Sequence, residues 1–166
     1  MKKLYIIRHA KSSWKDLNLE DYSRPLNKRG KKDAPFMGKI LNENGVYPDI
    51  IISSPALRAK TTTQSIAKEL HFNKPVTYDK QVYEADLSTL LQLLLELNKK
   101  DNIVFIIGHN PGLNMLLDYF VGFDDNIPTC GVVELEFDCK KWDSISSKNA
   151  KLISFDYPKK HTFQEK

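Results

Sequence analysis

Residues able to do chemistry stand at three separated places in this 166-residue sequence. Arg8-His9 follows the apolar run Leu4 to Ile7 and sets a cation beside an imidazole. Ser54-Pro55-Ala56-Leu57-Arg58-Ala59, with Thr61, Thr62 and Thr63 behind it, follows Ile50 to Ile52, and Gly108-His109-Asn110-Pro111 follows Ile103 to Ile107. Arginine forks match phosphate oxygens better than lysine does. Phosphoryl transfer, in turn, depends mainly on positioning and fixed positive charge. Histidines and arginines gathered at one point would therefore suit a phosphorylated ligand.

Other routes to phosphate chemistry are missing from the sequence. There is no Gly-x-x-x-x-Gly-Lys-[Ser/Thr] loop. Neither Cys130 nor Cys139 has an arginine six residues on, and no Asp-x-Asp ends an apolar run. The four histidines are scattered without His-x-x-x-His or paired-cysteine spacing, so no metal or other cofactor is expected. Histidine chemistry is what remains.

The elements that must position these residues are legible as apolar runs. Leu4 to Ile7, Ile50 to Ile52, Ile103 to Ile107, Val132 to Phe137 and Leu152 to Phe155 read as strands. Helical spacing separates the earlier ones, with one-sided apolar residues at Met37, Ile40 and Leu41, at Leu87, Leu90, Leu91 and Leu94, and at Leu113, Leu116, Leu117 and Phe120. This alternation predicts an α/β fold: a three-layer α/β/α sandwich with a mostly parallel sheet and an antiparallel edge made by the last two strands. Ile50 to Ile52 and Ile103 to Ile107 read as central strands covered on both faces. Pro35, Gly30 and Gly38 leave the helix near Asn27 either kinked or starting late.

Ser54 and Asn110 each precede a proline and read as helix caps, with Pro55 and Pro111 at the first helical position. Strand-to-helix turns of a parallel sheet gather at the carboxyl ends of the strands, where ligands bind, and helix N-termini favour anions. Arg58 and His109 are thereby expected to face one phosphate-sized site. Arg8 and His9 would point to opposite faces within a regular strand, but the chain is already turning where they stand.

In this order and on these elements, the three motifs resemble the histidine phosphatase superfamily, the phosphoglycerate mutase-like proteins. Ser23-Arg24-Pro25-Leu26 with Arg29-Gly30, and Tyr83-Glu84 ahead of a leucine-rich helix, are similar to its SixA-type phosphohistidine phosphatase branch. The likeness runs from Leu4 to about Leu117. At 166 residues the chain fits a single domain spanning residues 1–166, and the likeness implies His9 as the nucleophile and Arg8, Arg58 and His109 as the phosphate-binding residues. It also implies that Arg24 reaches the rim and that Glu84 stands where relatives place a general acid; the alternative for Glu84 is an exposed loop carboxylate. Arg29 reads as surface charge, Lys11 and Ser12 as possible pocket lining, and Trp14 as a platform or a rim aromatic. The family's usual Arg-His-Gly is Arg-His-Ala here, which bears on the backbone path at Ala10.

Composition is close to that of an ordinary soluble globular protein, with 41% hydrophobic and 28% charged residues. The net charge of +4 is carried by scattered lysine pairs such as Lys31-Lys32 and Lys99-Lys100, which form no nucleic-acid footprint. No apolar run has the length of a signal-peptide core or a membrane span, so a cytoplasmic location without membrane attachment is expected. Cys130 and Cys139 read as buried or half-buried thiols, and His71 and His161 as solvated. The partner expected from the resemblance is a phosphorylated protein carrying phosphohistidine, with small phosphoesters as the alternative. Short connections after the pocket motifs, leaving little chain for a lid, are consistent with a protein-borne substrate. A noncatalytic module that binds phosphorylated ligands through Arg8 and Arg58 would have no use for His9.

Overall fold

The computed structural model describes residues 1–165. Strand β1 (Lys2–Arg8) leads to helix α1 (Lys28–Glu43), then β2 (Ile50–Ser53), α2 (Leu57–Glu69), β3 (Thr77–Tyr78), α3 (Leu87–Leu95), β4 (Ile103–Gly108), α4 (Gly112–Val121), β5 (Val132–Phe137) and β6 (Ala150–Asp156). Short 3₁₀ turns occur at Asp21–Ser23, Lys80–Val82, Trp142–Ser144 and Pro158–Glu165. The strands form one six-stranded sheet in the order β3-β2-β4-β1-β5-β6. Its first four strands are parallel, and β5 and β6 add an antiparallel edge. The predicted α/β class and mixed sheet are therefore correct, and the two-residue strand β3 is an addition that its exposed Thr77-Tyr78 pair did not signal.

The two layers of helix follow from the alternation of side chains along each strand. Leu4 and Ile6 of β1 and Val104 and Ile106 of β4 pack with Leu90, Leu94, Leu113, Leu117 and Phe120 from α3 and α4. Their neighbours Tyr5, Ile7, Phe105 and Ile107 pack on the other face with Met37, Leu41 and Ile66 from α1 and α2. A one-residue slip of β1 or β4 would exchange these sets, so both cores specify the register.

That register positions the site. Arg8 pairs with Gly108 across β1 and β4, and Ser53 pairs with Ile107 across β2 and β4. His9, Ser54 and His109 thus leave three adjacent strands at nearly the same level.

The helix after Asn27 does not start late. Its first turn is capped by the Asn27 side chain, which accepts a 2.8 Å bond from the Gly30 N–H, and the helix runs through Pro35. Packing of Met37 and Leu41 outweighs the single backbone bond that Pro35 removes. Ser54 is not the cap of α2: the cap position is Ala56, and the Ser54 hydroxyl accepts from the Ala56 N–H at 3.2 Å inside the preceding turn. Pro111, rather than Asn110, occupies the cap position of α4, while Asn110 Oδ1 still accepts from the Asn114 N–H at 3.1 Å. No helix among the described residues is long and apolar enough to cross a membrane.

Candidate active site

A cavity of about 590 Å³ opens at the carboxyl ends of β1, β2 and β4, with Arg8, His9, Arg24, Arg58, Glu84 and His109 all in its wall. Every site residue expected from the sequence is thus brought to one place. Lys11, Ser12 and Trp14 line it too, while Arg29 lies outside it, paired with Asp33 at 3.2 Å.

His9 is held from three sides. Its backbone N–H donates to the Gly108 carbonyl at 3.1 Å, and its carbonyl accepts from the Cys130 N–H at 3.0 Å. On the ring, Nδ1 lies 2.7 Å from the Ala10 carbonyl oxygen. A carbonyl only accepts, so Nδ1 carries the proton and the neutral ring presents Nε2 as its lone-pair nitrogen. Burial lowers the His9 pKa to about 4; the Ala10 bond opposes this and the charges of Arg58, Arg8 and Arg24 reinforce it. The ring is accordingly neutral at neutral pH. Ala10 fits without distortion: it is fully buried and its N–H donates to Thr62 Oγ1 at 2.9 Å. Thr62 Oγ1 in turn donates to the Arg58 carbonyl at 2.7 Å, which ties the His9 turn to α2.

His109 stands with its ring centroid 5.1 Å from that of His9, and its Nε2 is 2.7 Å from Ser54 Oγ. Burial, then the neighbouring His9 and Arg58 charges, lower its pKa to about 3. Tyr83 packs edge-on against His109 at 5.4 Å, and Tyr22 against Tyr83 at 5.1 Å. Four rings, Tyr22, Tyr83, His109 and His9, therefore run in sequence through the site.

The arginines are oriented by a residue that sequence reasoning missed. Asp21 Oδ2 accepts from Arg58 Nη2 at 2.8 Å and from the Tyr83 hydroxyl at 2.8 Å, while its Oδ1 accepts from Arg24 Nε at 3.1 Å. The Asp21 carbonyl accepts a further 2.6 Å bond from Arg58 Nη1. Partial burial works against the charged form of Asp21, but the Tyr83 and arginine bonds prevail and hold its pKa near 2. Burial and the Asp21 bond push the Tyr83 hydroxyl up to about 12, so it stays a donor. The only sequence signal for Asp21 was its place three residues before Arg24.

Arg24 is nearly buried, donates to Ser12 Oγ at 2.7 Å, and stacks its guanidinium 3.5 Å from the Trp14 ring centroid. Arg8 Nη1 donates to the Ile127 carbonyl at 2.9 Å. Arg8 Nε, Arg58 Nε and His109 Nδ1 are buried without a partner among the described residues. Unpartnered buried polar groups are uncommon and call for an occupant or a function. All three belong to side chains that line the cavity. Glu84 is exposed at the mouth, on a backbone with φ of 53°. Left-handed backbone at a non-glycine residue is uncommon and concentrates at functional sites.

Two expectations need correction. The connection after β1, residues 10–27, is not short: it supplies Lys11, Ser12, Trp14, Asp21 and Arg24 to the wall. His161 is not freely solvated, since Nε2 lies 2.6 Å from Asp156 Oδ1 and the ring packs on Phe36. It borders a second cavity of about 460 Å³ on the α1 face of β1 and β5, which contains no arginine. His71 is exposed, Cys130 is buried and Cys139 half-buried. Among the described residues no group of three or more His, Cys, Asp or Glu side chains is placed to hold a metal ion.

A mixed α/β sheet whose strand ends gather two histidines and three arginines defines a phosphoryl-handling protein of the phosphoglycerate mutase-like type. The family model for the histidine phosphatase superfamily (branch 1) matches residues 4–96, and the chain belongs to that superfamily. An uncharacterized chloroplastic protein of Arabidopsis thaliana is 30% identical over 152 residues, covering 86% of this chain and 69% of the relative. A candidate phosphohistidine phosphatase SixA from Agrobacterium tumefaciens superimposes with a TM-score of 0.83 at 27% identity, covering 95% of this chain and 98% of the other. A protein histidine phosphatase SixA complexed with tungstate gives the same TM-score at 20% identity, with the same coverage.

Proposed function

We propose that this protein removes phosphate from phosphohistidine carried on another protein, by way of a phosphoryl group held transiently on His9. The observation that carries this reading is the state of His9: Nδ1 fixed on the Ala10 carbonyl, Nε2 the lone-pair nitrogen, and three arginines in the same cavity wall. Nε2 attacks phosphorus as the bond to the leaving group breaks. Water then attacks the phosphoryl group on His9 and releases inorganic phosphate, leaving the ring neutral. Arg8, Arg24, Arg58 and His109 surround the phosphoryl oxygens with fixed charge and donors, so the reaction needs no metal ion. Glu84 protonates an alkoxide leaving group when the substrate is an ester. A phosphohistidine ring can already carry its proton before the bond breaks, so it depends less on that acid.

The likeness to SixA supports phosphohistidine as the substrate, and tungstate, a tetrahedral oxyanion, occupies a relative of this fold. The test is a rapid-mixing experiment with labelled phosphohistidine protein, quenched in alkali. Label should appear on the chain, acid-labile and base-stable, and His9→Ala should lose both label and turnover. Turnover retained by His9→Ala refutes the nucleophile. Hydrolysis of small esters but not of the phosphoprotein refutes the substrate and leaves the nucleophile standing. Chelators should change neither rate.

A further inference from the structure

We infer that Gly108 and Gly112, the two glycines flanking the His109 turn, are positioning residues for Glu84. The inference rests on the reading of Glu84 as the acid for ester substrates. Glu84 belongs to the segment between the 3₁₀ turn Lys80–Val82 and α3, and each neighbour of Glu84 in that segment is fixed on part of the site. A Cβ added at Gly108 would lie 2.9 Å from Val82 Cγ1, so β4 closes directly on Val82. A Cβ at Gly112 would overlap the Ala85 carbonyl oxygen and lie 3.3 Å from Leu90 Cδ1, so the first residue of α4 closes on the backbone just after Glu84. Between them Tyr83 is held by its hydroxyl on Asp21 and its ring on His109.

Clamped at residues 82, 83 and 85, the chain has little freedom at 84. Glu84 takes a left-handed backbone there, a conformation that residues other than glycine adopt only when their surroundings enforce it. Neither glycine has a side chain to offer a substrate. Their contribution is the close approach that a missing Cβ allows. The same strand-to-helix turn that presents His109 thereby also sets where the Glu84 carboxyl stands.

The two contacts differ in kind, and the difference supplies the test. At Gly108 the obstacle is a valine methyl, which can be removed; at Gly112 it is a backbone oxygen, which cannot. The readout is the ratio of kcat/KM for an alkyl phosphate, which needs a proton on its leaving oxygen, to that for p-nitrophenyl phosphate, which does not. Positioned acid catalysis is worth about 10² to 10⁴-fold, so displacing Glu84 should lower this ratio by about tenfold or more. Gly112→Ala should lower it, and should lower it no further in a Glu84→Gln background. Gly108→Ala should lower it less, and Gly108→Ala/Val82→Ala should restore it. Gly38→Ala is the control: its Cβ would stand 3.0 Å from Glu69 Cβ and Ile66 Cα, between α1 and α2. It should lower the melting temperature and leave the ratio unchanged.

If Gly112→Ala does not fold, the Gly108 and Val82 pair decides alone. Equal losses on both substrates in the glycine variants, with Glu84→Gln still separating them, would overturn the inference and leave Glu84 as the acid. A Glu84→Gln ratio equal to wild type would remove the acid reading and the inference with it.

Discussion

His9 and His109 are buried in neutral form, and each pays for reactivity in acid stability. Burial is the first cause in both, lowering their pKa values to about 4 and about 3 from the ordinary 6.5. Between those values and 6.5 the unfolded chain binds protons that the folded chain refuses, so stability rises with pH across this window and falls as pH is lowered through it. Asp21 acts in a separate range: its stabilising charge is present above the ordinary carboxylate value and is lost only as pH falls toward about 2. Urea unfolding measured from pH 7 down to 4 should therefore show stability declining below pH 6.5, with uptake approaching about two protons per molecule. His9→Gln and His109→Gln should each remove about one. A slope unchanged by both substitutions would mean that neither ring is held neutral. At this scale the sequence was informative, because His9, Arg8, Arg58 and His109 sit in local motifs beside strand ends. Arg24 and Glu84 came only through resemblance, since neither stands next to a strand or has a spacing that marks it.

The connection between β1 and α1 shows what local pattern does not reveal. Residues 10–27 carry no helical or alternating periodicity, yet they are tied down by Ser13 N–H to the Pro25 carbonyl at 2.8 Å, Asn27 N–H to the Lys11 carbonyl at 2.9 Å, and a bridge between Ser12 and Leu26. Asp21 was illegible for this reason: its partners, Arg58 on α2 and Tyr83 before α3, are distant in sequence and meet it only in the folded chain. Strands β1, β2 and β4, by contrast, were legible because each is a run of apolar residues covered on both faces. An ionised carboxylate inside an anion site lowers affinity for the product while it orients the arginines. Asp21→Asn keeps an acceptor oxygen and removes the charge. It should tighten competitive inhibition by inorganic phosphate by roughly tenfold, about 1.4 kcal/mol, while slowing turnover because Arg58 and Arg24 are less well held. Weaker phosphate inhibition in this variant would show that orientation outweighs charge.

Across the whole molecule, the sheet separates a reactive end from an inert one. His9, Ser54 and His109 leave the carboxyl ends of β1, β2 and β4, while Lys2 at the start of β1 is buried at the opposite end. There its ammonium donates to the carbonyls of Lys99 and Asp101 and to Asn102 Oδ1 at 2.9 Å, and lies 5.8 Å from the Trp142 ring centroid. The chain has two tryptophans, one at each end of this axis. Trp142 is fully buried and donates from Nε1 to the Asp101 carbonyl at 2.6 Å, whereas Trp14 is 64% exposed and stacked on Arg24 at the cavity rim. The molecule therefore carries two separate optical reporters. Iodide should quench Trp14 and spare Trp142, and inorganic phosphate drawing on Arg24 should alter only the quenchable emission. Denaturant should shift the protected emission to the red as the core opens. In Trp142→Phe the remaining signal would follow occupancy of the site alone, and a phosphate response surviving Trp14→Phe would show that the anion is felt at the Trp142 end rather than only at the cavity rim.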